Sequence, residues 1–494
     1  MQSAMVLAFD IGTSGVKTSL IDSDGAIAGA KTVSYDTHYA QGGIAEQNPL
    51  DWYDGIVRAT NALKEELPEA VQSIAAIGVS GHMMGCIPVD AKGNALHPAL
   101  IHSDSRALAQ HARVLRDVGR DELYRMCGNV PDARGSLCKM LWFMEERPEI
   151  YRRAAKFLQS KDYIVSQLTG NIDTTDCSDA CHGLLMDITA RKYDPALFQT
   201  LGLDMQKLPE IHKGCEIVGT VCDEAARLLG IPSGIPVIAG GGDGACGSMG
   251  AASIKAGDAY LNLGTTAWFA SVVEKPILDS DMRVFNITNL DGETTSVYGT
   301  MQSAGSSINK AMEWFSVSSF DQLNAMALKS PCGANGLIYL PYLEGERSPI
   351  FDARAKGVFL GMTMQTGADD YVRAVFEGTC YALRQIADVL REYIPLSRVK
   401  AIGGGMKSSA WPQMIADIAR LDLETLSVPS GDSTSRGIAA VAGTAAGIFP
   451  SIEDALSHVR VTGEIRMQEE KEEYERNYSA YKKLYPALSG IMRA

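Results

Sequence analysis

Asp10 is followed by Gly12-Thr13-Ser14-Gly15, with Lys17 just beyond. The aspartate ends an apolar run, Val6 to Phe9, and a second run, Val16 to Ile21, starts on the far side of the glycines. This pattern predicts a tight β-hairpin whose tip bares backbone N–H groups beside a carboxylate. Amides exposed at a Gly-rich turn bind anions, phosphates above all. A carboxylate at the same spot can hold the metal that accompanies a polyphosphate. A second version occurs at Leu261–Phe269, with Gly264-Thr265-Thr266 as its turn. Two such turns predict two similar halves clamping one nucleotide.

Asp243 stands after a strand-like run, Val237–Ala239, and the glycines Gly240-Gly241-Gly242. Glycines let a ligand come close. A carboxylate there can accept a hydroxyl proton during phosphoryl transfer. Alone, it reads as an Asp-Gly turn; the two hairpins favour the chemical reading. Gly242, Gly244 and Gly247 also satisfy G-x-G-x-x-G, but no acidic residue ends the next strand, as a dinucleotide site needs. Lys17-Thr18 is not a P-loop, because Val16 fills the required glycine position. Gly403-Gly404-Gly405 ends another strand, and Ser408 or Ser409 can cap the helix after it. That turn suits a flat ring or a phosphate, and equally a helix-packing loop. Cys177, Cys181 and His182 lie close together but lack a second ligand pair at zinc spacing, so they read as packing.

The elements that must position these residues follow from periodicity. Strand-like runs cover 5–10, 16–21 and 25–34, with Asp24-Gly25 as a turn. Trp52, Ile56, Val57 and Leu63 predict a helix at about 50–66. Ile74–Val79 is a strand running into Gly81-His82-Met83-Met84-Gly85, and 107–170 reads mainly helical. The pattern restarts near 255, with a strand near Thr295–Tyr298 and a helix near 303–316. Strand, turn, strand, strand, helix thus occurs twice, which predicts a duplicated α/β fold with a boundary near residue 250. Gly437-Ile438-Ala439-Ala440 predicts a tightly packed helix.

Composition sets limits. The chain has 494 residues, enough for two to four domains, and is 46% hydrophobic and 21% charged. A net charge of −14 argues against a nucleic-acid binder. No run approaches a membrane span, no signal peptide is evident, and ten scattered cysteines fit reduced thiols, so a cytoplasmic location is expected.

These residues together resemble the FGGY carbohydrate kinases, closest to their xylulokinase branch, within the hexokinase–actin–chaperone ATPase superfamily. Asp10–Lys17 is similar to the first phosphate motif, and Glu46-Gln47-Asn48-Pro49 with Trp52 to the EQxPxxW segment. Gly240–Asp243 resembles the GGGD of the catalytic aspartate, and Gly264–Thr266 the second phosphate loop. Leu340 to Pro349, LPYLEGERSP, is similar to the family signature, and Gly403–Gly405 to the adenosine motif. The usual G-Q-M-H-G segment is here Gly81–Gly85, the aromatic-Asn-Asp-Gly-Arg segment is His102-Ser103-Asp104-Ser105-Arg106, and Gly244 replaces an Asn.

The resemblance implies two ribonuclease H-like, actin/hexokinase-like α/β domains, 1–250 and 251–494, with ATP in the cleft between them. It implies a sugar kinase, with a pentulose such as D-xylulose as acceptor; gluconate, ribulose and other polyols stay open. Sugar is expected against His82, Met83, Asp104, Arg106 and Asp243. His82 reads equally as a buried, satisfied histidine; for Asp104 with Arg106 a structural ion pair is the alternative, but the resemblance favours the pocket. Phosphates are expected at Gly12, Thr13, Ser14, Gly15, Lys17, Gly264, Thr265 and Thr266, and adenosine at Gly404, Gly405 and Ser409. Asp10 is expected to hold Mg²⁺, mostly through water. Asp243 is expected to deprotonate the attacking hydroxyl. No membrane or nucleic-acid partner is expected, and a homodimer is left open. An actin-like or chaperone-type ATPase and a nicotinamide oxidoreductase are the rivals from other classes.

Overall fold

The computed structural model describes residues 4–427, 431–468 and 470–493. The first half opens with an antiparallel meander of β1 (Met5–Ile11), β2 (Gly15–Ile21) and β3 (Ile27–Ser34). β1 is apolar except for Asp10 because both its faces are covered, whereas β3 alternates half-buried and exposed residues. Helix α1 (Pro49–Glu66) starts where the Asn48 side chain accepts the Leu50 N–H, with Pro49 at the first helical position. Its stripe of Trp52, Ile56 and Leu63 is buried in the core on one face of the sheet. The chain returns in β4 (Ile74–Gly81), parallel to β1.

A largely helical excursion follows: α2 (Leu108–Asp117), α3 (Arg120–Cys127), α4 (Ser136–Glu146), α5 (Ser160–Thr169) and α6 (Cys177–His182). The sheet is completed by β5 (Ile217–Thr220) and β6 (Pro236–Ile238) in the order β5-β6-β4-β1-β2-β3. The two-residue strand β7 (Gly241–Gly242) extends β4, pairing with Ser80 and Gly81, and runs directly into α7 (Asp243–Gly250).

The second half repeats this plan. β8 (Ala259–Leu263) and β9 (Ala267–Val273) form the second hairpin, followed by β10 (Phe285–Thr288), β11 (Thr295–Met301) and α8 (Gly305–Trp314). The long helix α9 (Ala368–Arg391) leads to β12 (Arg398–Ile402), α10 (Trp411–Ala419), β13 (Asp422–Leu426), α11 (Ser433–Ala445), β14 (Val461–Ile465) and α12 (Glu472–Met492). Sheet order is β10-β11-β9-β8-β12-β13-β14, with β8 and β12 parallel as β1 and β4 are.

The two sheets fall on either side of residue 250, but α11 does not respect that division. It packs on α7, β1 and β4, in a core that unites Val6, Ala8 and Ala76 with Ile438, Ala439 and Ala442. Small residues make this possible. A Cβ on Gly437 would lie 2.0 Å from the Cys246 carbonyl oxygen, and one on Gly250 would lie 1.7 Å from that of Ser433. Among the described residues no helix is long and apolar enough to cross a membrane.

Candidate active site

The first hairpin is built to turn its amides outward. Gly12 N–H donates to the Gly15 carbonyl at 3.1 Å, closing the turn. The Tyr35 hydroxyl donates to the Gly12 carbonyl, Gln47 Nε2 donates to that of Thr13 at 2.7 Å, and Tyr35 N–H to that of Ser14 at 3.3 Å. Trp52 Nε1 in turn donates to Gln47 Oε1 at 2.9 Å. The carbonyls are thereby tied to the domain, while Thr13 and Ser14 N–H have no backbone partner among the described residues. The second turn is seated alike. Ala304 and Ser306 N–H donate to the Thr265 carbonyl at 3.0 and 3.1 Å, and Gly305 N–H to that of Gly264 at 3.0 Å, at the start of α8. Ser14 and Thr265, at the two tips, are exposed.

Asp10 ends β1 beside Ser80 of β4 and opposite Lys17 of β2. Burial raises its carboxyl from 3.8 to about 7, the charge of nearby Asp243 adds to this, and Lys17 opposes it. Asp243 is open to solvent through the cleft, yet the protein packed around it pushes its carboxyl up to about 6 against the hydrogen bond from Gly244 N–H at 2.8 Å. The fold holds the loop on both sides: Gly242 N–H donates to Ser178 Oγ at 2.9 Å, and a Cβ on Gly242 would meet Met83 Cγ at 2.5 Å. Two carboxylates that repel each other beside exposed amides are a fit for a hydrated Mg²⁺, which neutralises phosphate charge when bound.

The same repulsion has a cost in the unliganded protein. A carboxyl raised in the folded state destabilises the fold as pH climbs from the unfolded value through the folded one. Asp10→Asn should therefore raise the thermal midpoint of the ligand-free protein at pH 8, with the gain disappearing near pH 4. Scanning calorimetry at the two pH values checks this, and a midpoint that falls at pH 8 contradicts it.

Lys17 has protein partners. Its ammonium donates to Asp432 and to the Gly431 carbonyl at 3.1 Å, so in this conformation it ties the first hairpin to the chain just before α11. It reaches a phosphate only if that pair opens.

At the third turn, Gly403 has φ +104°, and a Cβ there would lie 2.5 Å from the Leu263 carbonyl oxygen. A Cβ on Gly405 would strike Leu263 and Trp411, whereas one on Gly404 would meet nothing. The turn therefore packs against the strand that enters Gly264 and leaves an open face at Gly404. Ser408, not Ser409, makes the local bonds: its hydroxyl oxygen accepts Ala410 and Trp411 N–H at 3.2 and 3.0 Å. Ser409 is exposed beside it.

His82 is buried, edge-on to Trp52 at 5.2 Å, with no hydrogen-bond partner on either ring nitrogen. Burial keeps it neutral by lowering its pKa to about 3. A neutral imidazole with one donor and one acceptor idle suits a pair of hydroxyls. His102, 5.7 Å from it, also leaves Nδ1 unpartnered. Asp104 and Arg106 are joined as an ion pair. Asp104 is fully buried; its carboxylate takes Arg106 Nε at 3.0 and 2.9 Å, Arg106 Nη2 at 2.6 Å and Ala45 N–H at 2.8 Å. Arg106 also pairs with Glu46 at 2.8 Å and lies over Trp142. The pair ties this segment to Ala45 and Glu46, and Arg106 Nη1 has no hydrogen-bond partner among the described residues.

A cavity of about 520 Å³ has Arg134, Gln302, Glu346, Arg347 and Phe351 in its lining. A smaller pocket continuous with it reaches Met84, Asn129 and His182. Met84 belongs to the Gly81–Gly85 segment already compared with the sugar-pocket motif; the others were not expected from the motifs, although Glu346 and Arg347 lie inside LPYLEGERSP. Cys177, Cys181 and His182 hold no metal-type cluster among the described residues; His182 Nδ1 lies 3.1 Å from Asn129 Oδ1.

Residues 5–250 match the N-terminal domain of the FGGY family of carbohydrate kinases, and residues 259–446 match its C-terminal domain. The chain belongs to that family. The kinase is 32% identical to the xylulose kinase of Escherichia coli K12 over 85% of this chain and 86% of that one. It is 31% identical to the xylulose kinase of Staphylococcus epidermidis ATCC 12228 over 98% and 97%. The solved xylulose kinase of Rhodospirillum rubrum superposes with a TM-score of 0.92 at 26% identity, over 99% of this chain and 100% of that one. The kinase is thus a two-domain sugar kinase, a phosphotransferase with an alcohol group as acceptor.

Proposed function

We propose that this kinase transfers the terminal phosphoryl group of ATP to a hydroxyl of a pentulose, that D-xylulose is the first acceptor to test, and that Asp243 is the general base. The observation that carries this reading is Asp243 itself, a carboxylate with its pKa raised to about 6 and open to the cleft beside Met83. Asp243 accepts the hydroxyl proton as the new O–P bond forms, and ADP leaves. A base poised slightly below neutral pH is ionised in use yet strong enough to pull on a hydroxyl. The amides of the two hairpin tips receive the phosphates, which concentrates donors where charge develops. Adenosine lies on the open face at Gly404. Asp10 would hold Mg²⁺, which would offset phosphate charge when bound. His82 and Met83 orient the sugar chain, and closing the halves excludes water.

The test is ADP release measured against a panel of pentuloses, polyols and aldonates. D-Xylulose should stimulate turnover. Because the base must be ionised in the free enzyme, kcat/KM should be level above pH 7 and fall as pH drops through about 6. ATP hydrolysis indifferent to every acceptor would remove the reading.

A further inference from the structure

The turn that carries Asp243 is short of side chains to hold it. Gly242 and Gly244 flank the aspartate, and glycine is the least restrained of all residues in its backbone. On one side, Gly244 N–H donates to Asp243 Oδ1 at 2.8 Å. On the other, the Gly244 carbonyl accepts the Tyr298 hydroxyl at 3.0 Å. Tyr298 lies on β11, in the second half of the chain, so the hold on this turn comes from across the molecule. The glycine makes that approach possible. A Cβ at 244 would already lie 3.2 Å from Ile287 Cδ1 and 3.9 Å from Tyr298 Oη, and a longer side chain would crowd the ring away from the backbone.

Tyr298 is itself held. Its hydroxyl lies 2.5 Å from Ser248 Oγ, one turn further along α7, and Ser248 Oγ lies 3.2 Å from the Tyr260 hydroxyl. Trp268 Nε1 donates to that hydroxyl at 2.8 Å. Tyr260 of β8 and Tyr298 of β11 both stand opposite Ala270 of β9, so the two rings share one face of the sheet with a small residue between them. Ser248, Tyr260 and Tyr298 are buried, where a hydroxyl is costly to leave unpaired. Trp268 comes two residues after Thr266, the last residue of the second phosphate turn. The bonds therefore run from the strand that leaves this turn to the residue beside Asp243.

We propose that Tyr298 is a positioning residue for the general base: through the Gly244 carbonyl it fixes the direction of Asp243 and ties it to the strands that carry the second phosphate turn. This rests on Asp243 as the base, the reading given above. Tyr298 acts through Asp243 and takes no part in the proton transfer itself. A base that swings away from the attacking hydroxyl costs rate rather than binding.

Tyr298→Phe tests this by removing one oxygen, since the ring, stacked on Phe285 at 5.4 Å, keeps its place. With the acceptor that gives the highest turnover, kcat should fall roughly 10–100-fold, the scale of a misplaced catalytic group. Acceptor KM, and the nucleotide Kd read by calorimetry, should stay within about threefold. Ser248→Ala should lower kcat in the same direction, and adding it to Tyr298→Phe should cost little more, because both break one chain of bonds. In the Asp243→Asn background, Tyr298→Phe should leave the residual turnover unchanged, since no base remains to be aimed. An equal fall in both backgrounds would mark a merely structural tyrosine and overturn the proposal. If Asp243→Asn is impaired while Tyr298→Phe is fully active, the positioning role falls and the kinase reading stands. If Asp243→Asn keeps full turnover, the assigned base falls and the positioning role falls with it.

Discussion

Asp243→Asn loses sugar-dependent ATP turnover by at least ~10²–10⁴-fold in kcat, the span of a general base. The substitution keeps the shape of the side chain, and the amide oxygen can still accept the Gly244 N–H. It also deletes the charge that, with burial, pushes Asp10 up, so the variant should be no less stable than the parent. Nucleotide affinity, read by calorimetry, should change little beside kcat. That combination separates loss of a base from loss of the site. Asp243→Asn retaining full turnover would place the base elsewhere.

Lys161→Met should be the most damaging single change outside the chemistry. Lys161 on α5 is fully buried and meets three carboxylates: Asp162 beside it, Asp176 at 3.0 Å and Asp179 at 3.3 Å. Burial works against its charge, but these neighbours overcome burial and hold its pKa well above the ordinary value. Asp176 also caps α6, and Asp162 closes the start of α5, whereas neither oxygen of Asp179 has a hydrogen bond. Removing the cation leaves buried anions uncompensated, a loss of about 3–5 kcal/mol. In a domain of roughly 250 residues that is about 2–4 °C of thermal midpoint for each kcal/mol. The sign with pH is fixed by the same argument. Without Lys161 the carboxyls are raised, so the variant should recover as pH falls toward 5 and lose most at pH 8. Activity should suffer too, since Ser178, which takes the Gly242 N–H, lies on α6 within the cluster. An unchanged midpoint at pH 8 would refute the account.

What could be read from the sequence was local. The hairpins at Asp10–Lys17 and Leu261–Phe269 were legible because glycines interrupt apolar runs of strand length, and each pair forms in register. The packed helix at Gly437–Ala440 was legible because its residues are small. Asp243 was legible because of its glycines and of the hairpins elsewhere in the chain. What the sequence did not show were partners far away along the chain. Lys17 is held by Asp432, 415 residues on, and no spacing rule reveals that. Asp104 and Arg106 sit two residues apart in a motif, but only the packing of Ala45 and Glu46 shows where their bonds go. Arg134 and Arg347 meet because the first sheet's helical excursion and the second half close on one space, a fact of topology.

Helix α11 gives the molecule a seam that differs from its apparent one. The strand order suggests a chain that divides at residue 250 into two interchangeable parts. Yet the apolar face that Val6, Ala8 and Ala76 present is roofed by Ile438, Ala439 and Ala442, and α7 touches α11 backbone to backbone. A chimaera joined at residue 250 would import a foreign roof for the sheet that carries Asp10. Recombination between relatives can exchange the second half only together with a helix fitted, glycine for glycine, to the other parent. The barrier to modular exchange in this kinase is thus a contact between two short runs of small residues, and it travels with the second half.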